Sequence, residues 1–196
     1  MESDMVNTMG SNAEVAWERY ALIADIVERF GAANYRLGKT AMQKMIFLLQ
    51  RSFGVDCDDG YTLYTYGPYS SDVARDLDVV AGLGGAQISY DFSFAGYEIH
   101  PGPASAELRG RAAGFLAAIG PKLDRLVGDF GGYTAKELEL RSTVVYLSKP
   151  GQTRTNLIKH VHEVKPHFNH EQIDVAIAEL ENKGYVRALS TLNAAN

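Results

Sequence analysis

Two segments decide the fold of this chain: Lys39-Thr40-Ala41-Met42-Gln43-Lys44-Met45-Ile46-Phe47-Leu48-Leu49-Gln50, and Tyr66-Gly67-Pro68-Tyr69-Ser70-Ser71-Asp72. Met42, Met45 and Leu49 recur at helical spacing in the first segment, and Phe47 widens the apolar stripe that they form. This pattern predicts a helix from about Thr40 to Phe53 that is buried on more than one side.

The second segment predicts a strand that turns into a capped helix. The β-branched and aromatic content of Tyr61–Tyr66 is typical of a strand, and Gly67-Pro68 ends it because proline cannot donate a hydrogen bond to a ladder. Ser70 or Ser71 is a suitable amino-terminal cap for the helix that follows, and Asp72 favours the positive end of that helix.

Elements on either side complete a first unit. An amphipathic helix is predicted over Ala13–Phe30, after a polar tail at residues 1–12 that is expected to be disordered. Downstream, Gln87–Tyr90 and Tyr97–His100 predict a hairpin. Helix, helix, strand, helix and hairpin form the element order of a winged helix-turn-helix.

A second unit is predicted after Pro101-Gly102-Pro103, the best candidate for a domain boundary. Capping patterns at Thr134 and Asn169 open two of its helices, and the last helix ends at Gly184 before a strand that begins at Tyr185. This order again suggests a winged helix.

The predicted fold class is therefore mainly α with small β hairpins, an α+β fold. The winged-helix-like units cover residues 13–103 and residues 104–190, and they form either two packed domains or one compact domain.

Composition narrows the class of protein. The chain has 196 residues, 46% hydrophobic and 22% charged, which is ordinary for a globular protein with a real core. Its net charge of -5 gives no overall attraction to phosphate, although a local basic face can still bind DNA. The single Cys57 excludes an internal disulfide, and no apolar run approaches the roughly 20 residues of a membrane span. We expect a cytoplasmic protein.

No motif has the arrangement of an active site. Residues 33–40 differ by one residue from a phosphate-binding P-loop, but a helix rather than a strand is predicted before them. Asp56, Asp58 and Asp59 lack the later ligands of a calcium loop. Four histidines cluster without the Cys or Glu partners of a tetrahedral zinc site: His160, His162, His167 and His170.

The predicted third helix of each unit opposes DNA binding. A recognition helix needs basic or amide side chains on its exposed face. The first unit instead presents Asp72, Arg75, Asp76 and Asp78. The last helix presents four acidic residues against one late lysine: Glu171, Asp174, Glu179 and Glu181, with Lys183. Both helices would therefore repel phosphate. The basic residues that could still contact nucleic acid lie elsewhere: Arg36, Lys39, Lys44, Arg51, Lys149, Arg154, Lys159 and Lys165.

The tyrosines around the Gly-Pro corner are the strongest candidates for a surface site, because tyrosine is rigid, amphipathic and enriched at protein interfaces. Tyr64 and Tyr66 share a face of the predicted strand, which either contacts a partner or packs on the second helix as core. Tyr69 lies beside the proline. The protein-binding candidates are Tyr64, Tyr66, Gly67, Pro68, Tyr69, Ser70 and Arg75.

The run from Gln43 to Gln50, followed by Tyr64-x-Tyr66-Gly67-Pro68-Tyr69-Ser70, resembles the YwgA-like bacterial and archaeal proteins. It also resembles the antitoxin domains of the Panacea (SocA-like) group and the C-terminal domain of DarG-type antitoxins, which oppose DNA ADP-ribosyltransferase toxins. The resemblance covers about Leu37–Val186. It implies a mostly helical, winged-helix-related fold without catalytic residues, and a protein that binds and restrains another protein.

We therefore expect a non-enzymatic, antitoxin-like regulatory module with no cofactor and no metal. Its expected partner is a protein, such as a toxin on a separate chain, and not a membrane. The alternative is a winged-helix transcriptional regulator that binds DNA through the basic candidates, which the acidic third helices disfavour.

Overall fold

The computed structural model describes residues 2–57, 60–93, 95–187 and 189, with side chains from residue 16 onward. Its elements are α1 (Glu2–Ala32), α2 (Lys39–Phe53), β1 (Thr62–Tyr64), β2 (Gly67–Tyr69), α3 (Ser71–Gly82), β3 (Ala86–Asp91), β4 (Gly96–Pro101), α4 (Ser105–Arg111), α5 (Ala113–Phe130), α6 (Ala135–Leu147), α7 (Arg154–Val164) and α8 (His170–Asn182). Within these ranges the chain is mainly helical with two small antiparallel hairpins, which confirms the predicted α+β class. None of the described helices combines the length and apolar content that crossing a bilayer requires.

Helix α1 begins well before the predicted start at Ala13. Residues 2–12 are helical, which corrects the disordered tail predicted for residues 1–12; Met1 lies outside the described residues. The physical reason is that extending an existing helix costs less than starting one, and no proline interrupts this stretch. Further along, Leu22, Ile26 and Phe30 are buried against the rest of the molecule.

Helix α2 runs through the core, as its wide apolar stripe predicts. Every residue from Ala41 to Leu49 is buried, and α2 contacts α3, α5, α6 and β2. The helix ends at Gly54, whose φ of 63° is left-handed and whose N–H donates to the carbonyl of Leu49. Because α1 rather than a strand precedes Lys39, residues 33–40 lack the context of a P-loop.

The Gly-Pro corner is itself a strand. Strands β1 and β2 pair antiparallel, with Leu63 opposite Pro68 and Tyr64 opposite Gly67, so Thr65 and Tyr66 form the turn. This corrects the single strand predicted over residues 61–66. Proline is tolerated in β2 because this sheet has only two strands in the described part of the chain. No further strand there requires a backbone N–H from Pro68.

The second hairpin forms as predicted and is longer. Strands β3 and β4 pair from Ala86 opposite Pro101 to Asp91 opposite Gly96, and the Ile99 N–H donates to the Leu37 carbonyl at 2.9 Å. After α8, by contrast, Tyr185 and Val186 form a bend, so the strand predicted there is wrong.

Both halves of the chain contribute to one hydrophobic core, in which α1 and α2 pack on α5 and α2 also packs on α6. The segment around Gly102 lies tightly against the preceding turn: its N–H donates to the Gly85 carbonyl at 3.2 Å, and the Ala104 N–H donates to Gly84 at 2.9 Å.

Candidate functional site

A groove of about 490 Å³ opens between α2, the β1–β2 hairpin and α3. Tyr64 and Tyr66 are 65% and 67% exposed at its edge, and Tyr69 is 37% exposed. The interpretation of Tyr64 and Tyr66 as core is therefore wrong. Tyr66 lies in the turn, and Leu63 rather than Tyr64 is the more buried residue of β1. We define the tyrosine groove by these three tyrosines with Met42, Val73 and Leu77.

The hairpin that carries these tyrosines is fixed to α2 by two buried side chains. The Gln43 amide donates to the Ser70 carbonyl and accepts from the Ser70 N–H, both at 2.9 Å. The Lys44 ammonium donates to the Pro68 carbonyl at 2.8 Å. Ser70 also caps α3 through its hydroxyl, so a single residue joins α2, the hairpin and α3.

Gly67 lies where only glycine fits. Its φ of +90° is left-handed, and a Cβ there would lie 3.2 Å from Lys44 Cε and 3.3 Å from both Ser142 Oγ and Thr143 Oγ1. The hairpin thus packs directly on α6, which positions the turn with Tyr66 at the surface.

A second buried cation holds the turn from the other side. The Lys165 ammonium donates to the Tyr64 carbonyl at 2.9 Å and to the Thr65 carbonyl, and it lies 2.9 Å from Glu139 Oε1. Lys165 and Glu139 are both buried. His167 approaches the same carboxylate at 3.4 Å. Two lysines and one glutamate therefore support the backbone beneath the tyrosines.

Burial lowers the pKa of Lys44 from its ordinary 10.5 to about 8, because the ammonium loses its water. The nearby Glu139 carboxylate partly opposes this shift, and the Lys165 charge adds to it.

The contribution of Lys44 to the free energy of unfolding is expected to rise by about 1 to 2 kcal/mol between pH 8 and 9.5, measured as the difference between the wild type and a Lys44→Met variant. Below pH 8 both the folded and the unfolded chain hold the Lys44 proton, and the full cost of the buried charge is present. Between the two pKa values only the unfolded chain keeps the proton, so raising the pH favours the folded state. Urea unfolding below pH 10, before tyrosines ionise in the unfolded chain, measures this slope. A Lys44→Met variant should lack the rise, and an equal slope in both proteins would contradict the assignment.

The other protein-binding candidate, Arg75, is not brought into the groove. It is exposed on α3 and pairs with Asp72 at 2.9 Å. At the groove rim, Lys39 instead lies 3.6 Å from Asp78, and its ammonium is 4.8 Å from the centre of the Tyr97 ring on β4.

Most basic residues predicted to contact nucleic acid are engaged within the protein. Lys44 and Lys165 are buried on backbone carbonyls and cannot reach a phosphate. Arg154 contacts Asp174 and Glu181, each at 2.5 Å. Looser surface pairs hold Arg36 with Asp91, Lys39 with Asp78, and Lys159 with Glu163. Arg51 and Lys149 are exposed, and both residues line the same two clefts.

The histidines serve local contacts. His162 Nδ1 lies 2.8 Å from the Phe168 carbonyl, and its ring centre is 4.6 Å from that of His170. Among the described residues, no three His, Cys, Asp or Glu side chains converge as metal ligands. Asp58 and Asp59 of the acidic turn lie outside the described residues.

A second aromatic cluster was not predicted from the sequence. On the β3–β4 hairpin, Phe92 is 89% exposed, and its ring lies 5.0 Å from that of Tyr90, which is 5.4 Å from Tyr97. The alternation of Tyr90 and Phe92 in the sequence is the pattern that could have predicted this cluster. Lys39 connects this cluster to the tyrosine groove, since it lines the groove and stacks on Tyr97.

Comparison with models of protein families gives no match to this chain, and comparison with curated proteins gives no significant match.

Proposed function

We propose that this chain is a non-enzymatic regulatory module that binds a partner protein through the tyrosine groove, in the manner of an antitoxin. The observation that carries the proposal is the combination of three exposed tyrosines with an apolar floor. Tyrosines at the edge of a concave apolar site are typical anchors of protein interfaces. An apolar side chain of the partner would fill the groove, and the tyrosine hydroxyls would bond its backbone.

The rigidity of the groove supports the proposal. Gln43, Lys44 and Lys165 fix the hairpin backbone from below, so the tyrosines lose little freedom when a partner binds. Preorganisation of this kind raises affinity because less conformational entropy is lost on association. The cluster of Tyr90, Phe92 and Tyr97 borders the groove at Lys39 and would extend the contact surface.

The resemblance to YwgA-like and Panacea-type antitoxin domains supports the same function, with a toxin on a separate chain as the partner. The order α1, α2, hairpin, α3, β3, β4 supports a winged-helix-derived scaffold in the first half. The buried free Cys57 supports a reducing location such as the cytoplasm. Duplex recognition by α3 has less support, because α3 carries Asp72 and Asp78 at its surface. Asp76, which was predicted to be exposed, is instead buried and pairs with Arg19 at 2.6 Å, so it does not contribute to this repulsion.

A Tyr66→Ala, Tyr69→Ala variant is expected to lose about 100-fold or more in affinity for the partner, since each anchor contributes roughly 1 to 2 kcal/mol or more. The partner is first identified by affinity capture from the native host and then titrated by calorimetry. Val175→Ala on α8, which removes an exposed apolar residue outside the groove, is the matched control. The fold should survive in both, because these side chains are at least 37% exposed. Unchanged capture by the tyrosine variant would exclude the groove.

A further inference from the structure

Two adjoining clefts lie apart from the tyrosine groove, and no described residue lines both them and the groove. The first, of about 540 Å³, is bordered by Arg51, Lys149 and Arg187. The second, of about 710 Å³, is bordered by Arg51 and Lys149 again, with Tyr61 and Tyr146. Because the same two cations line both, they form the ridge between the clefts. We call the pair the basic clefts.

Among the described residues, no carboxylate compensates the charges of the basic clefts. In the described part of the chain Arg51, Lys149 and Arg187 are exposed and make no ion pair, whereas every other arginine there does. No described Asp or Glu lines either cleft. In a chain with 24 acidic and 19 basic residues, a region whose described lining holds three cations and no carboxylate favours an anion.

Aromatic rings occupy the second cleft. Phe47 lies 5.1 Å from the Tyr61 ring and 6.1 Å from the Tyr146 ring, and both tyrosines are partly exposed. His160 borders the same cleft. Aromatic side chains beside a cationic groove are the combination that holds stacked bases and a phosphate backbone.

We propose that the basic clefts bind single-stranded nucleic acid. Arg51, Lys149 and Arg187 contact successive phosphates, and a base enters the second cleft against Tyr61 or Tyr146. A concave cleft admits an unstacked base, whereas the bases of a duplex are inaccessible to it. The aromatic lining favours a nucleic acid over an acidic peptide, whose carboxylates offer no face for stacking.

The last turn of α6 also lines the clefts through Val145, Leu147 and Ser148. The carboxyl end of a helix carries about half a negative charge, which opposes an anion. The last turn of α2 also lines the second cleft, through Gln50 and Arg51. Three full positive charges outweigh these two partial charges, so the net field at the ridge attracts phosphate.

The test is fluorescence anisotropy of the full chain with a labelled 12-nucleotide oligo-dT or oligo-U. Binding should weaken with salt with a logarithmic slope of about -2, as expected for three phosphate contacts to a single strand. Lys149→Glu and Arg187→Glu should each weaken binding about tenfold or more at low salt. Lys136→Glu makes the same charge change at an exposed lysine on α6 that lines neither cleft, and should change affinity by less than about twofold.

Three results would overturn the proposal. They are no binding of either oligonucleotide at 50 mM salt, equal weakening by Lys136→Glu, or equal affinity for a 12-base-pair duplex or for poly-glutamate. The Tyr66→Ala, Tyr69→Ala variant should bind the oligonucleotide like the wild type. Equal unfolding midpoints of the charge variants would show that their loss is a loss of contact and not of fold.

Discussion

Replacing Glu139 by alanine is expected to destabilise the protein by about 3 to 5 kcal/mol, because it leaves buried cations without their counter-charge. Lys165 lies 2.9 Å from this carboxylate, and the Lys44 ammonium also feels its charge. Neither lysine can turn to solvent without giving up a bond to the hairpin backbone. Urea unfolding at pH 7 measures the loss.

Glu163→Ala is the control for this change. Glu163 is exposed, and its carboxylate lies 3.9 Å from the Lys159 ammonium, which makes a weak surface pair. Its removal should therefore alter stability by less than about 0.5 kcal/mol. A Glu139→Leu, Lys165→Met double variant should recover part of the loss, because it removes the cation nearest to the lost carboxylate. The recovery should be incomplete, since Lys44 remains buried. A loss below about 1 kcal/mol in Glu139→Ala would show that water reaches the cluster.

Gly102→Ala is expected to cost about 3 kcal/mol, at the upper end of overpacking changes. A Cβ at this position would lie 2.2 Å from the Gly84 carbonyl oxygen and 2.9 Å from the Ala86 nitrogen. Both obstacles are backbone atoms, so no side-chain rotation relieves the contact. The bonds from Gly102 to Gly85 and from Ala104 to Gly84 would have to break or lengthen.

Gly128→Ala makes the identical chemical change with the opposite expected sign. Gly128 lies inside α5, where an added Cβ would meet nothing within 4 Å. Alanine should therefore stabilise the helix by about 0.5 to 1 kcal/mol. Thermal unfolding of the two variants side by side gives the comparison, and a Gly102→Ala protein as stable as the wild type would contradict the described backbone contact.

The course of α2 could be predicted from its sequence, because the period of Met42, Met45 and Leu49 leaves no other way to bury so wide an apolar stripe. The cap at Ser70 and the capping pair Thr134 with Glu137 could also be predicted, since short-range spacing alone determines them. Local rules of this kind do not depend on distant parts of the chain.

The roles of Lys44 and Lys165 could not be predicted in the same way. A lysine is usually solvated, and nothing within a few residues of either one shows that its ammonium meets carbonyls on another element. The β1–β2 hairpin was missed for a related reason, because proline argues against a strand unless the sheet is known to end there. The exposure of Tyr66 could not be predicted either, because it depends on the turn of that hairpin.

The reach of Lys165 across the fold has a consequence for biosynthesis. This side chain, from the loop after α7, bonds the carbonyls of Tyr64 and Thr65 about a hundred residues earlier. We infer that the β1–β2 turn of the nascent polypeptide lacks these bonds until Lys165 has emerged from the ribosome. If the tyrosine groove binds a partner as proposed, products truncated before Lys165 would present that partner with a less ordered β1–β2 turn.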